Sequence, residues 1–202
     1  MSFPDFFAKA PEITLFDPLS AFLGAPEDGR ITYRYEDAVR LAGHSCPTVA
    51  GAWLMSVKAM QALWPDGTPE RGKVAVMLPD SQDEGVTGVI AAVAGLVTGA
   101  AGEGGFKGIA GRFTRAGLTA FDADIPATLG FRRTDSGAGV LAHYRPEIVS
   151  ADPAMREHLQ RVLSGIGDED DLATFSRLWQ DRVRRILTEH ADDPSLVALS
   201  PF

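Results

Sequence analysis

The chain has 202 residues, 45 per cent of them hydrophobic and 23 per cent charged, a composition close to that of a soluble globular protein, so a well-filled core is expected. Twenty-seven acidic against 19 basic residues leave a formal charge of −8, which repels a phosphate backbone and argues against a nucleic-acid partner. Cys46 is the only cysteine, so one chain holds neither a disulfide nor a zinc site of four cysteines or of two cysteines and two histidines.

The nearest thing to a basic patch is Arg182, Arg184 and Arg185, and it stands among Asp181, Glu189, Asp192 and Asp193. The opening MSFPDFFAKA has no basic leader followed by an apolar core. The longest apolar region, VTGVIAAVAGLVTGAA, is broken by Gly88, Gly95 and Gly99, and at 16 residues it is short of the roughly 20 that a membrane span needs. A cytoplasmic protein with no membrane partner is the expectation.

In chain order, residues 1–30 carry five phenylalanines between short polar breaks and end in a Pro-Glu-Asp-Gly turn signal. They are expected to form an arm or short helices whose aromatics pack on the body or on a partner. In the next segment Tyr35, Ala38, Val39 and Leu41 share a helical face, and Gly43 is a stop because it takes up a left-handed backbone at little cost. Pro47 suits the first turn of a second helix, Ser45 is a candidate cap, and Ala50, Trp53, Leu54, Val57 and Met60 recur at helical spacing. Its polar face is thin, which predicts a mostly buried helix over about 47–63.

KVAVMLP predicts a strand that ends at Pro79 and Asp80, and residues 83–97 predict an Ala- and Gly-rich helix. GAAGEGG, residues 99–105, reads as a flexible loop. With Lys107 it mimics a phosphate cradle, but neither the GxxxxGK[ST] nor the GxGxxG spacing is met. From Phe106 to Val149, the segments GIAGRFTRAG, GLTAFDADI, ATLGFRRTD and AGVLAHYRP predict three or four short strands. Two helices follow, the first with Met155, Leu159, Val162 and Leu163 on one face, the second with Leu172, Phe175, Leu178, Trp179, Val183 and Ile186 inward. The second has an acidic start and arginine-rich later turns, in agreement with the helix dipole. This order predicts an α+β fold.

The chemistry-bearing constellation is GHSC. Gly43 gives the backbone room to bend around a bound group, and Cys46 at a helix start would face unsatisfied N–H groups and the positive end of the dipole. Such a thiolate serves as a metal ligand or as a nucleophile, while a lone cysteine is equally a small buried hydrophobe. His143, in a predicted strand beside Tyr144 and Arg145, is a further site candidate. His158 and His190 stand among helix charges and read as structural. Asp80, Asp83 and Glu84 follow a strand end, where sites are common, although acidic residues there also cap the next helix.

GHSCPTVAGAWLM resembles the opening motif of the FmdE-like family, named after the E subunit of molybdenum or tungsten formylmethanofuran dehydrogenase. Gly43, His44, Cys46, Pro47 and Gly51 match it, whereas Ala42 stands at the place of the family's first histidine, Thr48 of a glycine and Trp53 of a basic residue. DEGVTGVIAAVAGLVTGAAGEGG is similar to a second family segment: Gly95 and Gly99 match, while Gly85 and Gly88 occupy the places of its second cysteine and its aspartate. LGFRRTDSGAGVLA is similar to the family's aromatic strand, turn and following strand. The likeness spans roughly residues 33–145.

The resemblance implies an α+β domain with a small antiparallel or mixed sheet packed by helices, a homodimer, and zinc near the His-x-Cys motif. The corresponding division is an arm over 1–30, a core over 31–150 and a helical extension over 151–202 packed on the core. On this view His44 and Cys46 are zinc ligands, His143 is a further ligand, and Asp80 or Asp83 moves protons while zinc polarises a carbonyl or activates water. Loss of a thiolate at Gly85 requires further partners, from Asp80, Asp83, His143 or a bound small molecule. Two other readings stay open: a metal-free acyl-transfer or hydrolytic enzyme with Cys46 as nucleophile, and a non-catalytic small-ligand-binding or structural protein.

Overall fold

A computed structural model describes residues 3–202; the first two residues of the predicted arm lie outside the described residues. The elements in order are β1 (Ile13–Phe16), α1 (Pro18–Leu23), β2 (Arg30–Tyr33), α2 (Tyr35–Ala42), α3 (Pro47–Leu63), β3 (Val74–Met77), α4 (Thr87–Thr98), β4 (Thr119–Ala120), β5 (Leu129–Arg133), β6 (Gly139–Tyr144), α5 (Ala154–Leu163), α6 (Glu169–Thr188) and β7 (Val197–Pro201). The fold is mixed α+β. β1 and β2 form an antiparallel pair, and the main sheet runs β4-β3-β5-β6-β7, parallel only between β3 and β4.

Helix α3 is the axis of the core. Gly43 ends α2 in the left-handed region at φ 77°, and Pro47, which has no N–H of its own to satisfy, opens α3. Trp53, Leu54, Met55, Val57 and Met60 of α3 are all buried, each worth about 1.5–3 kcal/mol relative to exposure. The one buried hydroxyl in this run, Ser56, donates to the Ala52 carbonyl at 2.7 Å and so costs little. The helix lies on the face of the sheet that carries Val74, Val76, Leu129, Phe131 and Ala142, with α4 and α6 against it. At Gly51 it approaches β6 so closely that a Cβ would overlap the Tyr144 ring.

The N-terminal segment belongs to the same hydrophobic core. Phe7, Ile13 and Leu15 are buried, and Phe7 meets Tyr35 edge to face at 4.9 Å between centroids. Asp17 caps α1 by accepting the N–H groups of Leu19 and Ser20. At the other end, Asp168 and Asp171 form a capping box at the start of α6.

Four expectations are corrected. Residues 108–117 are not a ladder strand but a tight turn in which Ile109 and Arg112 exchange both backbone hydrogen bonds across Ala110 and Gly111, each with positive φ. Cys46, not Ser45, is the N-cap of α3. Leu163 and Leu172 are exposed at the α5–α6 turn, because helical periodicity marks a face without supplying anything to cover it. The C-terminal residues 197–201, expected within a helical extension, add strand β7 to the main sheet.

Candidate functional site

Two places hold the side chains singled out in the sequence. The first is the start of α3. Cys46 is buried, and its Sγ accepts the Val49 N–H at 3.4 Å, which answers one of the free N–H groups at the start of the helix. The neighbouring residues Ser45 and Pro47 are held by four side chains. The Ser45 carbonyl accepts Trp179 Nε1–H at 2.9 Å and Gln180 Nε2–H at 3.1 Å, the Ser45 hydroxyl pairs with Tyr35 Oη at 3.0 Å, and Tyr144 Oη–H donates to the Pro47 carbonyl at 2.8 Å. Burial pushes the Tyr35 and Tyr144 phenols up, so both are neutral hydrogen-bonding groups and neither serves as a base near neutral pH.

His44 is exposed, and its Nδ1 lies 3.0 Å from the Ala42 carbonyl. A carbonyl only accepts, so in the neutral ring Nδ1 carries the proton and Nε2 keeps its lone pair. That tautomer is the one a histidine uses when it ligates a metal through Nε2. Among the described residues, however, no three His, Cys, Asp or Glu side chains come together in a group able to hold a metal ion. One chain therefore brings two zinc donors to the motif, and its donor set does not fit a closed zinc site.

The second place is a cleft of about 570 Å³ beyond the carboxyl end of β3. Asp80 and Glu84 come from the β3–α4 loop, Thr87 from the amino end of α4, Thr128 from the residue before β5, and His143 from β6. Leu78, Ile90 and Pro126 supply apolar wall. Thr128 is fixed by donation of the Tyr144 N–H to its hydroxyl at 3.1 Å. Thus Asp80 and His143, far apart in sequence, line one cleft. Asp83 is not part of its lining, and its carboxylate accepts the Ser81 hydroxyl at 3.0 Å. His44 and Cys46 do not line it either, so these two and the pair Asp80 and His143 occupy two separate places, and Asp83 belongs to neither.

No family model matches the chain, and no curated protein matches it. The chemistry of the cleft is therefore read from its own groups. Two carboxylates, two hydroxyls and an imidazole surround an opening within the size range of small-molecule sites. Their summed charge is negative when His143 is neutral, which suits neutral hydroxyl-bearing or cationic ligands and disfavours anions.

Thr87, Thr128 and Glu84 are the lining residues to which the sequence gives least weight. Glu84 is visible only as one of several acidic residues after a strand, and the two threonines carry no spacing signal at all. Elsewhere the arginine grouping near the C-terminus is internally satisfied. Arg184 and Arg185 pair with Asp181, Arg184 also with Glu189, and Arg182 donates to the Val149 and Pro146 carbonyls. Among the described residues no helix is long and apolar enough to cross a membrane.

Proposed function

We propose that this protein is a divergent FmdE-like α+β protein that binds a small, neutral or cationic, hydroxyl- or amine-bearing molecule in the cleft between β3 and α4. The observation that carries this reading is the convergence of Asp80, Glu84, Thr87, Thr128 and His143 on one ligand-sized opening. The resemblance points to the same place. Gly85, at the position of the family's second cysteine, lines the cleft, and a Cβ there would meet no atom within 4 Å. Replacing a ligand thiolate by glycine leaves space for an organic group where a metal donor would stand.

In this reading Asp80 and Glu84 accept hydrogen bonds from ligand hydroxyl or ammonium groups. Thr87 and Thr128 orient the ligand, and His143 is the group able to give or take a proton at a bound hydroxyl. Ligand-observed NMR with a panel of small polyols and amines tests it. Hits on the wild-type protein are expected to lose their signal on an Asp80→Asn/His143→Ala variant, since each lost charge-assisted hydrogen bond weakens binding by about tenfold. Hits that bind the variant equally well contradict it.

A second reading is favoured by the His44 tautomer and the Cys46 cap: a metal shared with another copy of the chain, as a homodimer would allow. Elemental analysis of untagged protein supplied with zinc and then freed of excess decides it. About one zinc per pair of chains, lost in both His44→Ala and Cys46→Ser, is the result that reading requires. Zinc that stays bound in either variant, or none in the wild type, removes it.

A further inference from the structure

A second cleft, of about 450 Å³, lies on another part of the molecule and is of opposite charge. Arg71, Lys73, Arg112 and Arg115 all line it, in a chain whose net charge is −8. The compensating carboxylates are Glu70 on the lining and Asp17 behind it, so four cations meet two anions and two positive charges are left over. Concentrated positive charge in an acidic protein has to be maintained against the rest of the surface, and it focuses anions into the cleft.

The geometry holds the cations in place before any ligand arrives. Asp17 is buried and bridges two arginines, accepting Arg71 Nη1–H at 2.8 Å on one oxygen and Arg115 Nη2–H at 2.8 Å on the other. Arg71 is further pinned by donation to the Val97 and Leu96 carbonyls at the end of α4, where the helix dipole favours a cation. Arg115 is 7 per cent exposed, and its Nη1 is buried without a hydrogen-bond partner. It lies so close over Gly72, itself on the cleft wall, that a Cβ at Gly72 would overlap it. A buried guanidinium nitrogen with no acceptor is costly, and an anion that reached it would relieve the cost.

The mouth is equally organised. Arg112 and Phe113 follow the tight turn at Ala110 and Gly111, and Phe113 holds φ 64°, a conformation that side chains other than glycine rarely adopt. Arg112 stacks over the Phe113 ring at 4.7 Å, while Lys73 makes no ion pair within the described residues. Side chains from two distant segments of the chain thus converge with their charges unspent.

We propose that this cleft is a binding site for the phosphate group of a small phosphorylated or diphosphate-bearing molecule, with Lys73 and Arg112 as the entry contacts and Arg115 as the inner one. A surplus of two positive charges matches a phosphate dianion better than a single carboxylate, and arginine forks suit tetrahedral oxyanions. The proposal is independent of the β3–α4 cleft, whose charge excludes the same ligand.

Calorimetric titration of the full chain with pyrophosphate, at low and at physiological salt, tests it. Lys73→Gln/Arg112→Gln is the variant of choice, because both side chains stand outside the Asp17 network and their removal leaves the buried ion pairs intact. The expected result is saturable binding that weakens with salt and falls by at least about tenfold in the variant, while His143→Ala binds like the wild type. No binding of pyrophosphate, equal affinity in the variant, or loss of affinity in His143→Ala would each overturn the assignment, and circular dichroism confirms that the variants are folded.

Discussion

Asp17→Ala is expected to lower stability by about 3–5 kcal/mol, the largest single-residue effect outside the helical core, because it strands buried Arg115 without a counter-charge. Two more losses fall in the same place. The amino end of α1 loses the acceptor of its Leu19 and Ser20 N–H groups, and Arg71 loses one of its three anchors. For a chain of this length each kcal/mol lowers Tm by roughly 2–4 °C, so a drop on the order of 10 °C is expected in a thermal melt. A change of less than about 2 °C would show that the network is not structural. Asp17→Asn keeps an acceptor for one arginine and for the α1 cap, and it should fall between.

The same carboxylate has a pH signature. Burial alone would raise its pKa, but the Arg71 hydrogen bond, the Arg115 charge and the Ser20 N–H outweigh that, and the folded value lies below the ordinary 3.8. A depressed carboxylate contributes stability above its unfolded pKa, and that contribution is lost as pH falls through the folded value. Urea midpoints of wild type and Asp17→Ala should therefore differ most near neutrality and converge in acid below the ordinary carboxylate range. A gap that widens as pH falls would reverse the sign of this argument.

Trp53→Ala is the second large effect, about 3–5 kcal/mol for emptying the middle of α3. Trp53 has no exposed surface, it meets Tyr35 edge to face at 6.5 Å, and its Nε1–H donates to the Pro11 carbonyl at 2.9 Å. The substitution leaves a cavity and an unanswered carbonyl, and it frees the segment that leads into β1. Trp53→Phe removes the hydrogen bond but fills most of the space, so its expected cost is smaller, about 1–2 kcal/mol. Urea denaturation with a common slope checks both. Equal midpoints for the two variants would mean that the cavity contributes nothing.

Where local chemistry decides an element, the sequence is readable. Gly43 and Pro47 bracket His44 to Cys46, and α2 ends and α3 begins where those residues require. The thin polar face of α3 correctly signals burial. Where the decision is made by distant partners, it is not. ITLF and RITY are each four residues long, and they become strands only because the register Ile13 to Tyr33 closes across α1. VALSP becomes β7 by pairing with β6, a partner far upstream.

The sites divide along the same line. Asp80 and His143 are visible as chemistry-bearing residues, yet nothing in the sequence says that the sheet places them on one cleft while leaving His44 and Cys46 outside it. The basic cleft is less visible still. Arg71 and Lys73 stand in PERGKV, Arg112 and Arg115 in GRFTRAG, and neither run is a patch by itself. Only the fold brings Arg115 to Asp17, across 98 residues of chain. The adjacent positive charges of the sequence are instead the group around Arg184, where Arg184 and Arg185 are met by Asp181 on the same helix and Arg182 by the Val149 and Pro146 carbonyls.

The most direct test of the functional reading is a 15N-resolved chemical-shift map of the wild-type protein with its strongest polyol or amine ligand. Shifts concentrated on residues 79–87, on Ala127 and Thr128 and on His143 are the predicted result. Shifts concentrated on residues 44–47 and their contacts Trp179 and Gln180, with the β3–α4 loop unmoved, would contradict it and return the chemistry to the His-x-Cys motif.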